Sequence, residues 1–236
     1  MTPLTTHPTF IDLRAFAANA AAGTDPFGAD RTILPLREAP VEVGAIALAA
    51  GTHAAGALSG DWWLVAAQGT VSIAANDRSV RLEGAQSCVM PSGTAFTCTC
   101  EAPATLIYIR YLHGSDSVRA IVPIDLEAEL APSGAPLAEL LLTPPPSCRN
   151  HTDFRSSDGA FTCGVWDSTP YHRRAMRYVH FELMVLLAGS VTFIDERGES
   201  GTFAKGAIFL VEQGASCSWE SREDVAKVYA IYREPA

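Results

Sequence analysis

The 236-residue chain repeats itself at an offset of about 120 residues, and one structural unit must therefore be built twice. Gly69-Thr70-Val71-Ser72-Ile73 matches Gly189-Ser190-Val191-Thr192-Phe193. Upstream, Trp63-Leu64-Val65 falls opposite Leu183-Met184-Val185, and downstream Gly84 and Gly93 fall opposite Gly206 and Gly214. Gly44 aligns with Gly164, and Tyr108 and Tyr111 align with Tyr229 and Tyr232. The register drifts only by a residue or two, as changes in loop length produce.

Each copy reads as short strands. Val191, Phe193, Phe203, Val228, Ala230 and Tyr232 sit at a period of two within their segments, the spacing of side chains on one face of a sheet. Asp195 to Glu199, polar with a central glycine, and Asn76-Asp77-Arg78 are the matching hairpin turns. Eighteen glycines and fifteen prolines supply turns for many short strands. The expected fold class is all-β, with a barrel in each copy. Residues 1–120 hold the N-terminal barrel, with an irregular lead-in and a core at 40–112; residues 121–236 hold a linker and the C-terminal barrel, with a core at 160–234. Short helical turns are expected near 12–19, 126–130 and 137–142, and the run Pro144-Pro145-Pro146 marks the linker.

Charge narrows the partners. Seventeen Lys and Arg against 26 Asp and Glu give −9, a balance that repels phosphate backbones and anionic lipid, so neither nucleic acid nor membrane is expected. Asp12 and Arg14 interrupt the one apolar stretch near the N-terminus, and no run approaches the roughly 18 apolar residues of a membrane span. The expectation is a cytoplasmic protein. Six cysteines lie in apolar surroundings without a C-x-x-C pattern, as buried reduced thiols do.

In the second copy Glu182 is followed by six residues and Gly189; later come Gly206, five residues, and Glu212-Gln213-Gly214-Ala215-Ser216-Cys217. These resemble the two cupin motifs, H-x-H, three or four residues, E, six residues, G, and then G, five residues, P-x-G-x-x-H. Gly164-Val165-Trp166, the Leu-rich strand ending at Gly189, and Trp219 and Tyr229 are similar to the ureidoglycine aminohydrolase-like cupin subgroup. The resemblance implies two tandem cupin barrels, a bicupin. It also implies a divalent metal, zinc, manganese or iron, held by two His and a Glu from the first motif and a His from the second. At those positions the second copy carries Met176, Tyr178, Glu182 and Cys217, and the first carries Gly56, Leu58, Trp62 and Phe96. The first set is a poor match for a hard cation and the second offers it no donor, so no metal is expected in the N-terminal barrel. His172, His180, Glu182 and Cys217 are the one alternative donor set, acceptable in type for zinc.

An inward Glu182 in an apolar barrel must be paired or have its pKa raised, because an isolated buried carboxylate is costly. Either it pairs with Arg173, Arg174 or Arg177, or it serves as acid, base or ligand anchor. His180 lies two residues away on the same face, with Tyr178 and His172 nearby; each is either a ligand contact or an ordinary satisfied side chain. The expected pocket is lined by Tyr178, His180, Glu182 and Cys217, walled by Trp166 or Trp219, and opens where His172 sits. Three functions compete. One is a binding protein for a small organic ligand, another a metal-dependent enzyme on a small amide or ureido compound, and the third a structural module, each compatible with a homodimer.

Overall fold

The computed structural model describes residues 9–114 and 120–235. It is almost entirely antiparallel β. In the N-terminal half, a larger sheet runs in the order Val122–Pro123, Ser87–Met90, Asp61–Gln68, Ala104–Tyr111, Val41–Leu48, Thr32–Ile33. A smaller sheet faces it, ordered Gly51–Ala55, Phe96–Cys100, Val71–Ala75, Arg78–Leu82. The C-terminal half repeats the smaller sheet strand for strand and the larger sheet with one strand more. Its larger sheet runs Phe10–Asp12, Ile208–Val211, His180–Ala188, Val225–Arg233, Phe161–Ser168, Cys148–Arg155, Ala131–Ser133. Its smaller sheet runs Tyr171–Arg177, Ser216–Ser221, Ser190–Ile194, Ser200–Ala204.

The repeated residues occupy equivalent places. Tyr108 stands opposite Gly44 in one barrel and Tyr229 opposite Gly164 in the other. In each case the ring passes over the glycine, where a Cβ would lie 2.7 Å from the Tyr108 hydroxyl or 2.9 Å from that of Tyr229. A side chain there would displace the tyrosine, which explains the paired spacing of Gly and Tyr in both copies.

Three apolar clusters fill the molecule. One, including Trp62, Phe96, Leu64 and Leu106, packs the N-terminal barrel, and another, including Met184, Phe193, Phe209 and Trp219, packs part of the C-terminal barrel. The third joins the two larger sheets: Val43, Trp63, Ile107 and Ile109 from one meet Phe161, Leu183, Val228 and Ala230 from the other. Tyr111 stacks across this seam on Phe161 and Tyr232, at ring separations of 5.8 and 5.5 Å. Both faces of the larger sheets are thus covered, so a strand such as His180–Ala188 is apolar almost throughout rather than alternating.

The lead-ins cross over. Phe10–Asp12 pairs with Ile208–Val211 of the C-terminal barrel, whereas Val122–Pro123, following the first copy, returns to Ser87–Met90. The expected N-terminal helix is Leu13–Ala17, capped by the Asp12 carboxylate, which accepts from the Arg14 and Ala15 amides. Arg14 then donates to the Gly206 carbonyl at 2.7 Å and to that of Ala67, tying both barrels together. Of the other expected helical turns, Ala138–Leu140 forms a 3-10 turn, while 126–130 contains no helix and has a single turn bond, from the Ala128 amide to the Asp125 carbonyl. All six cysteines are buried and free. Among the described residues no helix is long and apolar enough to cross a membrane.

Candidate ligand site in the C-terminal barrel

Strand alternation decides what enters this barrel. On Val225–Arg233, Val228, Ala230 and Tyr232 point into the seam between the sheets, so Lys227, Tyr229, Ile231 and Arg233 point the other way, into the barrel. On the neighbouring strands the same rule sends His180 and Glu182 inward from His180–Ala188, and Thr162 and Trp166 from Phe161–Ser168. Tyr171, Arg173 and Met176 reach in from the opposite sheet. Together they surround a cavity of about 520 Å³. The exposed residues among its walls, Gly134, Ala135, Arg155 and Arg233, mark its mouth.

At its centre is a buried ion pair. Lys227 Nζ donates to Glu182 Oε1 at 2.7 Å, and His180 Nε2 lies 3.3 Å from Glu182 Oε2. Burial would raise the Glu182 carboxyl, but the adjoining Lys227 ammonium and the His180 ring hold it well below the usual carboxylate range. The ammonium also lies 4.6 Å from the centre of the Trp166 ring and 5.2 Å from that of Trp219, so two aromatic faces help to stabilise it. Tyr171 stacks on Trp219, 5.5 Å away and nearly parallel.

Arg173 forms a second centre. It is 4% exposed; its Nη1 donates to the Cys217 carbonyl at 2.8 Å and its Nη2 to the Tyr178 hydroxyl at 2.9 Å. Burial pushes the phenols of Tyr178 and Tyr171 well above their ordinary value, so both remain neutral donors at pH 7.

Five of the seven expected site residues come together here: Tyr178, His180, Glu182, Trp166 and Trp219 all line the cavity. Two do not. His172 alternates with Tyr171 and Arg173 along its strand and so faces away from the cavity. Cys217 is fully buried in the apolar cluster beneath it, where burial pushes its thiol up to about 11. The mouth accordingly does not open at His172. The partner of Glu182 also differs from expectation: it is Lys227 rather than Arg173, Arg174 or Arg177. Lys227 and Arg173 were missed as cavity residues. A sequence signal existed for the first, one of only two lysines in the chain, set in an apolar strand where the other copy has Leu106.

Residues 155–229 match the model of the EutQ-like cupin domain. A crystal structure of a protein of unknown function from Pseudomonas syringae pv. tomato, of the DUF861 family, superposes with a TM-score of 0.84 at 28% identity, covering 95% of this chain and all of that one. The fold is the cupin fold. Salicylate 1,2-dioxygenase from Pseudaminobacter salicylatoxidans shares it at a TM-score of 0.60 and 11% identity, over 96% of this chain and 84% of its own. Protein Ylba from E. coli does so at 0.55 and 12%, over 92% and 95%. No curated protein sequence matches.

The residues at the cupin metal positions do not fit a metal. In the C-terminal barrel they are Met176, Tyr178, Glu182 and Cys217: a thioether, a neutral phenol, a carboxylate already paired with an ammonium, and a thiol outside the cavity. The alternative set of His172, His180, Glu182 and Cys217 is not assembled, since His172 and Cys217 lie off the site. Among the described residues no three His, Cys, Asp or Glu side chains converge as metal ligands. In the N-terminal barrel the position of Glu182 is taken by Trp62, with Phe96 in the same apolar cluster.

Proposed function

We propose that this protein binds a small organic molecule in its C-terminal cupin barrel, and that the N-terminal barrel serves as scaffold. One observation carries the reading: the two barrels share a fold but not an interior. At equivalent positions the N-terminal barrel has Trp62 and Leu106 in its apolar core, and the C-terminal barrel has Glu182 and Lys227 beside a cavity of about 520 Å³. That volume is ordinary for a small-ligand site, and so is its make-up of aromatic walls with a few convergent polar groups. A charged pair would not be kept in a barrel merely to fill it, because apolar side chains of similar volume do so at least as well.

The test follows the four tryptophans, two in each barrel. With the protein ¹⁵N-labelled and its indole signals assigned, a chemically diverse set of small molecules is titrated in. Binding in the cavity shifts Trp166 and Trp219 and leaves Trp62 and Trp63 in place. If no compound moves the first pair selectively, the C-terminal barrel is scaffold like its twin.

A further inference from the structure

We infer that the cavity selects small organic anions, with Arg173 as the buried anchor for a carboxylate or phosphate oxyanion and Arg155 and Arg233 receiving it at the mouth. The inference rests on the reading of the cavity as a ligand site and specifies what that site takes. Arg155, Arg173, Lys227 and Arg233 line the cavity, and Glu182 is the one carboxylate among the lining residues. This is a cationic pocket in a chain of net charge −9, so its sign comes from local placement and not from composition.

Lys227 is matched by Glu182. The three arginines have no such match: among the described residues none has a carboxylate within 4 Å. For the exposed Arg155 and Arg233 this is unremarkable, because water solvates them. For Arg173 it is costly. Its hydrogen bonds go to the carbonyls of Arg174 and Cys217 and to the Tyr178 hydroxyl, all neutral acceptors, and its charge lies 5.4 Å from the Tyr178 ring centre. A buried cation without a counter-charge is unfavourable unless something returns one. The two phenols beside it stay protonated at pH 7, so they do not. An oxyanion entering the cavity would, and guanidinium presents a planar fork that carboxylate and phosphate match. The three faces left around the anion (Tyr171, Trp166 and Tyr229) suit a small organic body better than a bare inorganic ion.

Matched probes separate this inference from the reading beneath it. Benzoate, benzamide and benzylammonium have one ring and differ in charge, and phenyl phosphate replaces the carboxylate with the other oxyanion. Each is titrated into the ¹⁵N-labelled full chain to about 10 mM, spanning the weak millimolar range expected of fragments. Benzoate or phenyl phosphate should shift the Trp166 and Trp219 indoles, with benzamide and benzylammonium at least about tenfold weaker. Arg155→Gln and Arg233→Gln, both at exposed positions, should each weaken the anion about tenfold or more while leaving benzamide unaffected. Arg173→Lys keeps the charge and loses the fork, and should weaken the anion with the rest of the spectrum preserved. If benzamide or benzylammonium binds as well as benzoate, or the rim variants change nothing, the selection for anions is overturned while the cavity remains a ligand site. If none of the four shifts the two indoles, the anion inference is overturned too. The diverse set described above then decides whether the cavity binds anything.

Discussion

The Glu182–Lys227 pair lies buried on the wall of the cavity, and its burial makes it sensitive to unequal changes. Glu182→Gln preserves shape but leaves the Lys227 ammonium buried with less compensation; Lys227→Met does the converse to the carboxylate. Each single variant should lose about 3–5 kcal/mol in chemical denaturation, whereas Glu182→Gln combined with Lys227→Met should lose much less than the sum. Additive losses would show that the two groups do not depend on each other. The same pair sets an acid limit. Because the folded carboxyl is held below its ordinary value of 4.5, its contribution is complete above that value and is lost as pH falls beneath it. The wild type should therefore destabilise more steeply below about pH 4.5 than the double variant, as comparison of denaturation midpoints across pH will test. In the other barrel the equivalent residue is structural: Trp62, 2% exposed, packs on Tyr108 with rings 4.9 Å apart. Trp62→Ala should cost about 3–5 kcal/mol, and an unchanged melting temperature would contradict its role as core.

At the scale of elements, each larger sheet uses both faces, one for its own barrel and one for the seam. Register therefore matters more than composition, because a slip of one residue would send Lys227 into the seam and Val228 into the cavity. The Gly–Tyr contacts help to hold that register. A Cβ at Gly164 would lie 2.0 Å from the His151 carbonyl oxygen as well as against Tyr229, so the neighbouring backbone itself has to move. Gly164→Ala should cost about 1–3 kcal/mol and weaken ligand binding, since Tyr229 and Thr162 both line the cavity and flank the disturbed pairing. A Gly164→Ala protein of native stability would remove the glycine from the account.

Across the whole molecule, the halves resemble two domains in sequence but share one seam core, crossed lead-ins and the Arg14 bridge. A single cooperative transition should appear in calorimetry, and residues 1–120 or 121–236 expressed alone should expose the seam and fail to fold natively. Two resolved transitions would show instead that the barrels are energetically independent. A single transition would mean that the apolar N-terminal barrel and the seam core help to stabilise the barrel that keeps a cavity and a buried ion pair.

The sequence alone determined the architecture, because a repeat in register and a period of two are local and additive signals. The spacing of Gly44 with Tyr108 and of Gly164 with Tyr229 was legible before the contact they make was visible. It also pointed to Tyr178 and Glu182 through their motif positions, to His180 through its alternation with Glu182, and to Trp166 and Trp219 as walls of the second copy. Tertiary structure alone decided the rest. Lys227 lies 45 residues from Glu182 and meets it only because two strands pair, so no local pattern links them. Cys217 and Trp219 occupy the same face of one strand, yet depth within the barrel puts one beneath the cavity and the other on its wall. His172 left the site through alternation about its neighbours, and Arg173 entered it by the same rule. Which charges end up together, and whether space remains between them, depends on how strands from distant parts of the chain pack, and packing is a property of the assembled fold.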